Sequence, residues 1–255
     1  MAQLLLFDLD GTLLRTDKTI SDYTLRTLDI CRQKGYMIGV STSRSERNCL
    51  SFLGKLSPDI LITSGGALVK KQNEYIYKAV FSMERTKELI RTARTICGDE
   101  VEITIDTVDT HYWNYKVDPL RLDQSWGESV WTDYHDFSEE ALKMCVEIFD
   151  EDHARELARV LDDCDAVRFS DGYWYKYTKK NVTKEQAIQI VCASCRITEH
   201  DIIAFGDDYA DIGMLKMSGL GVAMGNAIPE VKEVADVVIG TNDEDGIAVF
   251  LEKEL

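Results

Sequence analysis

The sequence predicts an α/β protein: a Rossmann-like three-layer core with a parallel sheet, plus an inserted α+β cap domain. Near both ends of the chain, short apolar runs alternate with amphipathic stretches. That alternation is typical of right-handed βαβ units whose parallel sheet is covered on both faces. In the middle of the chain, aromatic residues are concentrated and strand-like runs mix with two helices. We therefore predict that residues 1–82 and 180–255 form the core and that residues 83–179 form the cap.

The first part of the core is predicted to contain three buried strands, two helices and a hairpin. Ser21 is suited to cap the first helix, in which apolar residues recur at helical spacing, and Gly35 is suited to end it. The other predicted ranges are strand Leu4–Phe7, strand 37–40, helix 45–55, strand 60–62 and hairpin strands 67–71 and 75–81.

The later elements complete the sheet and form the cap. The predicted core ranges are a helix that starts at Thr183, strand 202–205, helix 211–217, strand 220–224, helix Pro229–Val234 and strand 237–239. The predicted cap ranges are strands 101–105, 146–149, 167–169 and 173–177 and helices 84–96 and 153–161. Within the last cap strand, Tyr175 and Lys176 are the first candidates for contact with a substrate.

The charge balance excludes two classes of partner. The chain has 255 residues, with 29 Lys+Arg against 45 Asp+Glu, for a formal charge of −16. Such an acidic protein lacks the basic face that nucleic acid or an anionic membrane needs. The sequence contains no apolar run near the ~20 residues of a membrane span and no basic, apolar leader. We predict a cytoplasmic protein that binds neither nucleic acid nor membrane, with a monomer as the default state.

Seven cysteines are spread through periodic segments, and their odd number favours buried, reduced thiols. Cys192 and Cys195 form a C-x-x-C within a helical pattern, and no second pair is nearby. A zinc or redox site at this pair is therefore the less favoured alternative.

The most informative motif is the segment FDLDGT at residues 7–12. Because side chains two positions apart on an extended chain point the same way, Asp8 and Asp10 are predicted to converge where the first strand ends. Two carboxylates at the end of a buried strand are costly unless a cation lies beside them. Mg²⁺ prefers carboxylate, water and phosphate oxygens. The motif therefore predicts a Mg²⁺ site.

Other polar residues also follow predicted strands. Thr42, Ser43 and Arg44 come at the end of the second strand, and Asp207 follows the fourth. Ligands of an open parallel sheet bind beyond the carboxyl ends of strands, where the winding reverses. With the strand order 3-2-1-4-5, these residues would meet in one crevice. Lys184 lies in the first turn of a helix, where the helix dipole disfavours a cation, so we predict that it faces anionic groups in that crevice.

These motifs resemble those of the haloacid dehalogenase superfamily of phosphohydrolases. The resemblance runs the full length and fits the Cof-type branch, in which a large α/β cap is inserted between the second and third motifs. It implies that Asp8 attacks phosphorus to form an aspartyl-phosphate and that Asp10 acts as general acid and then as base. It also implies that Asp8, Asp10 and Asp207 hold Mg²⁺. A carboxylate nucleophile divides phosphoryl transfer into two steps, and the metal reduces charge repulsion.

The same resemblance implies supporting residues around the phosphate. Asp211 is implied to support the metal site behind Asp207 or through water. The phosphate- and substrate-binding set that the resemblance implies is Thr42, Ser43, Arg44, Lys184 and Asn226. Three positions depart from the family pattern: Ser43 stands where many relatives have Gly, and Gly65 and Ala210 stand where relatives usually have Asn.

We predict a Mg²⁺-dependent phosphatase of small phosphorylated metabolites, such as a sugar phosphate or a phosphorylated cofactor. Two alternatives stay open. One is a phosphomutase with the same fold. The other is a weakly active metabolite-binding or regulatory module, which the three departures would favour. Because the whole molecule is acidic, Mg²⁺, Lys184 and Arg44 must attract the phosphate locally.

Overall fold

The computed structural model describes residues 3–122, 124–170 and 172–254. Its strands are β1 (Leu4–Phe7), β2 (Met37–Ser41), β3 (Ile60–Thr63), β4 (Leu68–Lys71), β5 (Glu74–Lys78), β6 (Ile103–Asp106), β7 (His111–Trp113), β8 (Val130–Trp131), β9 (Lys143–Glu147), β10 (Cys164–Arg168), β11 (Trp174–Lys179), β12 (Ile202–Gly206), β13 (Leu220–Ala223) and β14 (Val237–Val238). Its α-helices are α1 (Asp22–Gln33), α2 (Glu46–Leu53), α3 (Met83–Cys97), α4 (Glu151–Val160), α5 (Lys184–Cys195), α6 (Ile212–Met217), α7 (Pro229–Val234) and α8 (Gly246–Glu254).

Eight strands form the core sheet, in the order β14-β13-β12-β1-β2-β3-β4-β5. The six strands from β14 to β3 are parallel, and β4 and β5 add an antiparallel hairpin at one edge. Strand β1 lies between β2 and β12, so the predicted order 3-2-1-4-5 is confirmed, with β12 and β13 as the fourth and fifth strands. Since parallel strands end at the same edge, the residues that follow β1, β2 and β12 are brought close together.

Local sequence explains where the core elements begin. All four residues of β1 are fully buried, as expected for the middle of a parallel sheet that is covered on both faces. Ser21 caps α1 by accepting a hydrogen bond from the backbone N–H of Thr24, and Thr183 caps α5 in the same way from Gln186. Helices α1 and α8 pack together, as do α5 and α6. The predicted α/β fold class is confirmed.

A second sheet has six strands in the order β10-β11-β9-β6-β7-β8. Together with α3 and α4 it encloses a separate apolar core that includes Leu89 and Tyr177, and we propose residues 83–179 as this cap unit. All four predicted cap strands and both helices are present, with shifted ends. The sequence does not predict β7 and β8, because these very short strands are partly exposed and show no apolar alternation. Strand β9 begins earlier than predicted because Lys143 is buried beside Asp106 rather than solvated.

Two further predictions from the sequence concern membrane spans and the state of the cysteines. Within the residues that the structure describes, no helix is both long enough and apolar enough to cross a membrane. All seven cysteines have free thiols, and Cys192 and Cys195 lie on α5, the first buried and the second half-buried.

Candidate active site

The carboxyl edge of the core sheet gathers the predicted site residues. Asp8 directly follows β1, Thr42 follows β2 and Asp207 follows β12. Because β1 is hydrogen-bonded to both β2 and β12 in parallel register, these three positions lie side by side. Lys184, at the start of α5, completes the group.

Lys184 joins two carboxylates at the centre of the site. Its Nζ donates to Oδ1 of Asp8 and to Oδ1 of Asp211, each at 2.6 Å, and all three side chains are largely buried. Burial opposes the charge on Lys184, but the carboxylates of Asp211 and Asp8 prevail and raise the pKa of this lysine. The predicted orientation of Lys184 toward Asp8 is what the structure has.

Asp211 also orders the loop that carries Asp207. Its Oδ2 accepts hydrogen bonds from the backbone N–H groups of Asp207 at 3.0 Å and of Asp208 at 3.1 Å. One carboxylate thus fixes both Lys184 and the loop after β12. Its buried position in the centre was not foreseen from the sequence, which placed Asp211 only behind the metal.

The donor set fits a divalent metal ion. Carboxylate oxygens of Asp8, Asp207 and Asp211 all lie within 4.8 Å of one another. Burial, followed by the charge of Asp211, raises the pKa of Asp207 to about 7. Burial and the Asp211 carboxylate likewise raise the pKa of Asp8 well above its usual range, although Lys184 opposes this. Crowded buried acids favour a cation between them, and oxygens of this kind are what Mg²⁺ prefers.

Two residues of the first motif shape the space around Asp207. Thr12 donates from Oγ1 to Oδ1 of Asp207 at 2.6 Å. Gly11 has a φ of +74°, and a Cβ at this position would overlap Oδ2 of Asp207. The glycine is therefore required both by its backbone conformation and by the close approach of the carboxylate. Thr12 lies within the first motif, and its bond to Asp207 was not predicted from the sequence.

Asp10 lies in different surroundings from the three clustered carboxylates. Its oxygens accept from Nε and Nη2 of Arg44, each at 2.6 Å, and from Nζ of Lys18 at 2.7 Å. Burial would raise the pKa of Asp10, but the hydrogen bonds and charges of Arg44 and Lys18 outweigh burial and lower it. Asp10 is thus held as a carboxylate. Its role as a metal ligand stays a prediction.

The segment after β2 contacts both the sheet and the cap. Oγ1 of Thr42 accepts a hydrogen bond from the backbone N–H of Arg44 at 3.1 Å. The carbonyl oxygen of Thr42 accepts from the N–H of Gly65 at 3.1 Å. The carbonyl oxygen of Ser43 accepts from Nζ of Lys143 in the cap at 2.6 Å. Arg44 faces Asp10 rather than open solvent.

Asn226 is tied to the turn of the first motif. Its Nδ2 donates to the carbonyl oxygen of Gly11 at 2.7 Å, and its Oδ1 accepts from the N–H of Asn242 at 3.0 Å. Both ends of the amide are therefore engaged with backbone. The structure brings Asn226 next to the site, and its role in binding phosphate stays a prediction.

A buried charged cluster in the cap was not found from the sequence. Asp106 is fully buried and accepts from Oγ of Ser64 at 2.9 Å, while Nδ1 of His111 lies 2.6 Å and Nζ of Lys143 2.9 Å from its oxygens. Although burial opposes ionisation, Lys143 and His111 lower the pKa of Asp106 to about 2. Asp106 bonds to Ser64 and Lys143 bonds to Ser43, so this cluster holds the cap against the two core loops beside Thr42. In the sequence, this cluster is indicated only by Lys143, which comes directly before an apolar run.

A cap segment also covers Arg44. Nη2 of Arg44 donates to the carbonyl oxygen of Ser125 at 2.7 Å, and the guanidinium lies 5.2 Å from the centroid of the Trp126 ring. The ammonium of Lys18 lies 5.4 Å from the same ring. The two cations that hold Asp10 are therefore partly enclosed by the cap.

Comparisons with known proteins agree with this geometry. The profile of the haloacid dehalogenase-like hydrolases matches residues 5–251. The chain is 28% identical to the 5-amino-6-(5-phospho-D-ribitylamino)uracil phosphatase YitU of Bacillus subtilis, over 98% of this chain and 96% of that protein. It is also 28% identical to a phosphoglycolate phosphatase of Methanopyrus kandleri, over 100% of this chain and 98% of that protein.

Solved structures show the same likeness. The sugar phosphatase BT4131, of subclass IIB of the superfamily, superposes with a TM-score of 0.86 at 26% identity, over 99% of this chain and 98% of that chain. The family match spans nearly the whole sequence, and BT4131 superposes over nearly all of both chains. The chain therefore belongs to the haloacid dehalogenase-like hydrolase family, as a phosphatase.

Proposed function

We propose that the protein is a Mg²⁺-dependent phosphatase that hydrolyses small phosphorylated metabolites through an aspartyl-phosphate on Asp8. The observation that carries this proposal is the buried group at the carboxyl edge of the sheet. There Lys184 bonds to both Asp8 and Asp211, and carboxylate oxygens of Asp8, Asp207 and Asp211 lie within 4.8 Å of one another. An arrangement of this kind positions a nucleophile and neutralises charge, which are the main tasks of a protein in phosphoryl transfer.

The chain's own residues supply the groups for two half-reactions. In the first, an oxygen of Asp8 forms a bond to phosphorus while the bond to the leaving oxygen breaks, and Asp10 gives that oxygen a proton. In the second, water attacks phosphorus, Asp10 takes a proton from the water, and the bond from phosphorus to Asp8 breaks. The contacts of Asp10 with Arg44 and Lys18 stabilise the ionised form, which is the form that the second half-reaction needs. The first half-reaction needs the protonated form, and the same contacts oppose it.

Asp8, Asp10 and Asp207 are the residues that we propose hold the metal. Asp211 supports them through its bonds to Lys184 and to the backbone of Asp207. When bound, Mg²⁺ would reduce the repulsion between the carboxylate nucleophile and the anionic phosphoryl group. Lys184 orients Asp8 by a hydrogen bond and favours its ionised form against burial. We propose that the hydroxyl of Thr42, which follows β2, binds a phosphate oxygen.

The site and the relatives support a substrate class. Ser125 and Trp126 of the cap cover a cation beside Asp10, and this cover supports a small leaving group. Relatives act on a phosphoribityl compound, on sugar phosphates and on phosphoglycolate by name. We propose a sugar phosphate or a phosphorylated cofactor precursor as the natural substrate.

The nucleophile can be tested with a generic aryl phosphate. Purified protein with Mg²⁺ should release inorganic phosphate, and a chelator should abolish release. Asp8→Asn should lower kcat by roughly 10³-fold or more, because it removes the attacking group. Asp29→Asn, on the exposed face of α1, is the matched control and should retain wild-type activity.

Three results would contradict the proposal. Turnover by Asp8→Asn would exclude Asp8 as nucleophile. Inactivity of the wild type across sugar phosphates, nucleotides and phosphorylated vitamins would favour a metabolite-binding module. Transfer to a second sugar hydroxyl, without release of phosphate into water, would identify a phosphomutase.

A further inference from the structure

One cap lysine reaches the floor of the crevice. Lys176 lies on β11 with only 5% of the residue exposed. A Cβ placed on Gly65 would lie 2.7 Å from Nζ of Lys176 and 3.0 Å from its Cδ. Because Gly65 has no side chain, the ammonium comes directly over the turn that follows β3. The N–H of that glycine bonds to the carbonyl oxygen of Thr42, so Lys176 lies over the loop that is expected to bind phosphate.

The ammonium of Lys176 differs from those of its neighbours in having no anionic partner. Lys143 bonds to Asp106 and Ser43, and Lys184 bonds to two carboxylates. Across residues 3–122, 124–170 and 172–254, Nζ of Lys176 makes no hydrogen bond or ion pair. Burial, together with the positive charges of Lys184 and Lys143, lowers the pKa of Lys176 to about 8.

An unpaired buried ammonium costs free energy that the fold must offset elsewhere. An apolar residue at this position would avoid that cost. The cation is therefore best explained by an anion that is present only during the reaction. Since the anions nearest to Thr42 and Lys184 in the reaction are the phosphoryl oxygens, the ligand class is a phosphate.

We propose that Lys176 binds the phosphoryl group that is transferred to Asp8, as a phosphate ligand supplied by the cap. This inference rests on the proposed function, because it assumes that phosphate enters the crevice. A phosphoryl group bound by Thr42 and Lys184 of the core and by Lys176 of the cap would bridge the two units. Phosphate binding would then stabilise the arrangement in which the cap covers the site.

The test compares two lysines of the same strand. Lys176→Met replaces the buried ammonium by an unbranched apolar side chain of similar length. Lys179→Met is the control, because Lys179 is exposed and its Nζ donates to the carbonyl oxygen of Val80. For each protein, calorimetry with Mg²⁺ present measures the Kd of inorganic phosphate, and steady-state kinetics measures kcat and KM for an aryl phosphate.

Lys176→Met should raise the Kd of inorganic phosphate about 10- to 100-fold, the usual effect of losing a hydrogen bond to a charged group. Its kcat/KM should fall by a similar factor, whereas Lys179→Met should change neither by more than about twofold. The melting temperature of Lys176→Met without phosphate should be equal to or higher than that of the wild type. A gain in stability with a loss of phosphate affinity is a result that a purely structural role would not give.

Unchanged affinity of Lys176→Met for inorganic phosphate would overturn the inference. A lower melting temperature with unchanged affinity would overturn it as well, since Lys176 would then be a structural contact. The binding measurement does not depend on turnover. If the wild type binds phosphate but hydrolyses no ester, the proposed function fails while the assignment of Lys176 is still tested.

Discussion

At the scale of single residues, the molecule is distinguished by how its buried charges are paired. Lys184 is matched by Asp8 and Asp211, and Lys143 by Asp106. Breaking a buried pair leaves an uncompensated charge and costs about 3–5 kcal/mol. These pairs therefore hold the core site and the cap contact in one arrangement, and substitutions at either should be costly.

The Asp106 cluster predicts a specific response to acid. Its pKa in the folded protein, about 2, is below the ordinary value of 3.8. The ionised form therefore stabilises the fold above about pH 4, and that contribution, roughly 2 kcal/mol, is lost as the pH falls toward 2. Asp106→Asn removes the charge at every pH. We expect the difference in unfolding free energy between wild type and Asp106→Asn to be large at pH 5 and to shrink as the pH is lowered.

Urea unfolding at a series of pH values measures this difference. Asp109→Asn, an exposed carboxylate close by in the same part of the cap, should differ from the wild type by no more than about 0.5 kcal/mol throughout. A difference for Asp106→Asn that stays constant with pH would show that the pKa of Asp106 is not lowered by folding.

At the scale of elements, the position of Lys184 depends on how closely α5 approaches the turn after β3. Gly66, in that turn, has a φ of +105°, and a Cβ there would overlap the backbone carbonyl of Thr183, the residue that caps α5. The helix start and the turn are thus in direct backbone contact. This contact fixes the first residue of α5, which is Lys184, relative to Asp8.

Gly66→Ala should therefore destabilise the protein and displace Lys184. The matched control is Gly35→Ala, since Gly35 has a similar φ of +95° but no atom lies within 4 Å of the position that its Cβ would take. Both changes should cost about 1–2 kcal/mol for the left-handed backbone. Only Gly66→Ala should cost about 1–3 kcal/mol more for overpacking, and only Gly66→Ala should lower kcat/KM. If Gly66→Ala and Gly35→Ala lost the same stability in urea unfolding and the same activity, the close approach at Gly66 would have no role.

At the scale of the whole molecule, the negative net charge opposes the binding of an anionic substrate. The chain carries a formal charge of −16, while the cations near Asp8 and Asp10 are few and mostly paired with carboxylates. Fields from surface charges extend about 30 Å at 0.01 M salt but only about 8 Å at 0.15 M. The repulsion should therefore be strongest in dilute buffer, and the local cations should dominate once the surface field is screened.

We expect kcat/KM for an anionic phosphate ester to rise about two- to tenfold as the ionic strength increases from about 0.01 M to about 0.15 M. Initial rates at saturating Mg²⁺ and constant pH measure this. A fall in kcat/KM over the same range would mean that the crevice attracts the substrate over long distances and that the surface charge has no influence on binding.

The sequence predicted the core elements, and the predicted crevice required the strand order 3-2-1-4-5, which the structure has. The apolar runs, the helix caps at Ser21 and Thr183, and the motifs at strand ends are local features, because alternation and capping act over a few residues. Since parallel strands end at one edge, the proximity of Asp8, Thr42 and Asp207 follows from topology alone.

The tertiary structure decided which charges meet. The pairing of Asp10 with Arg44 and Lys18 and the central place of Asp211 depend on contacts among the core loops. The position of Lys176 over Gly65 depends on contact between the core and the cap. Sequence periodicity determines the face on which a side chain lies. The partner that it finds there lies on another segment of the chain, and only tertiary packing brings those segments together.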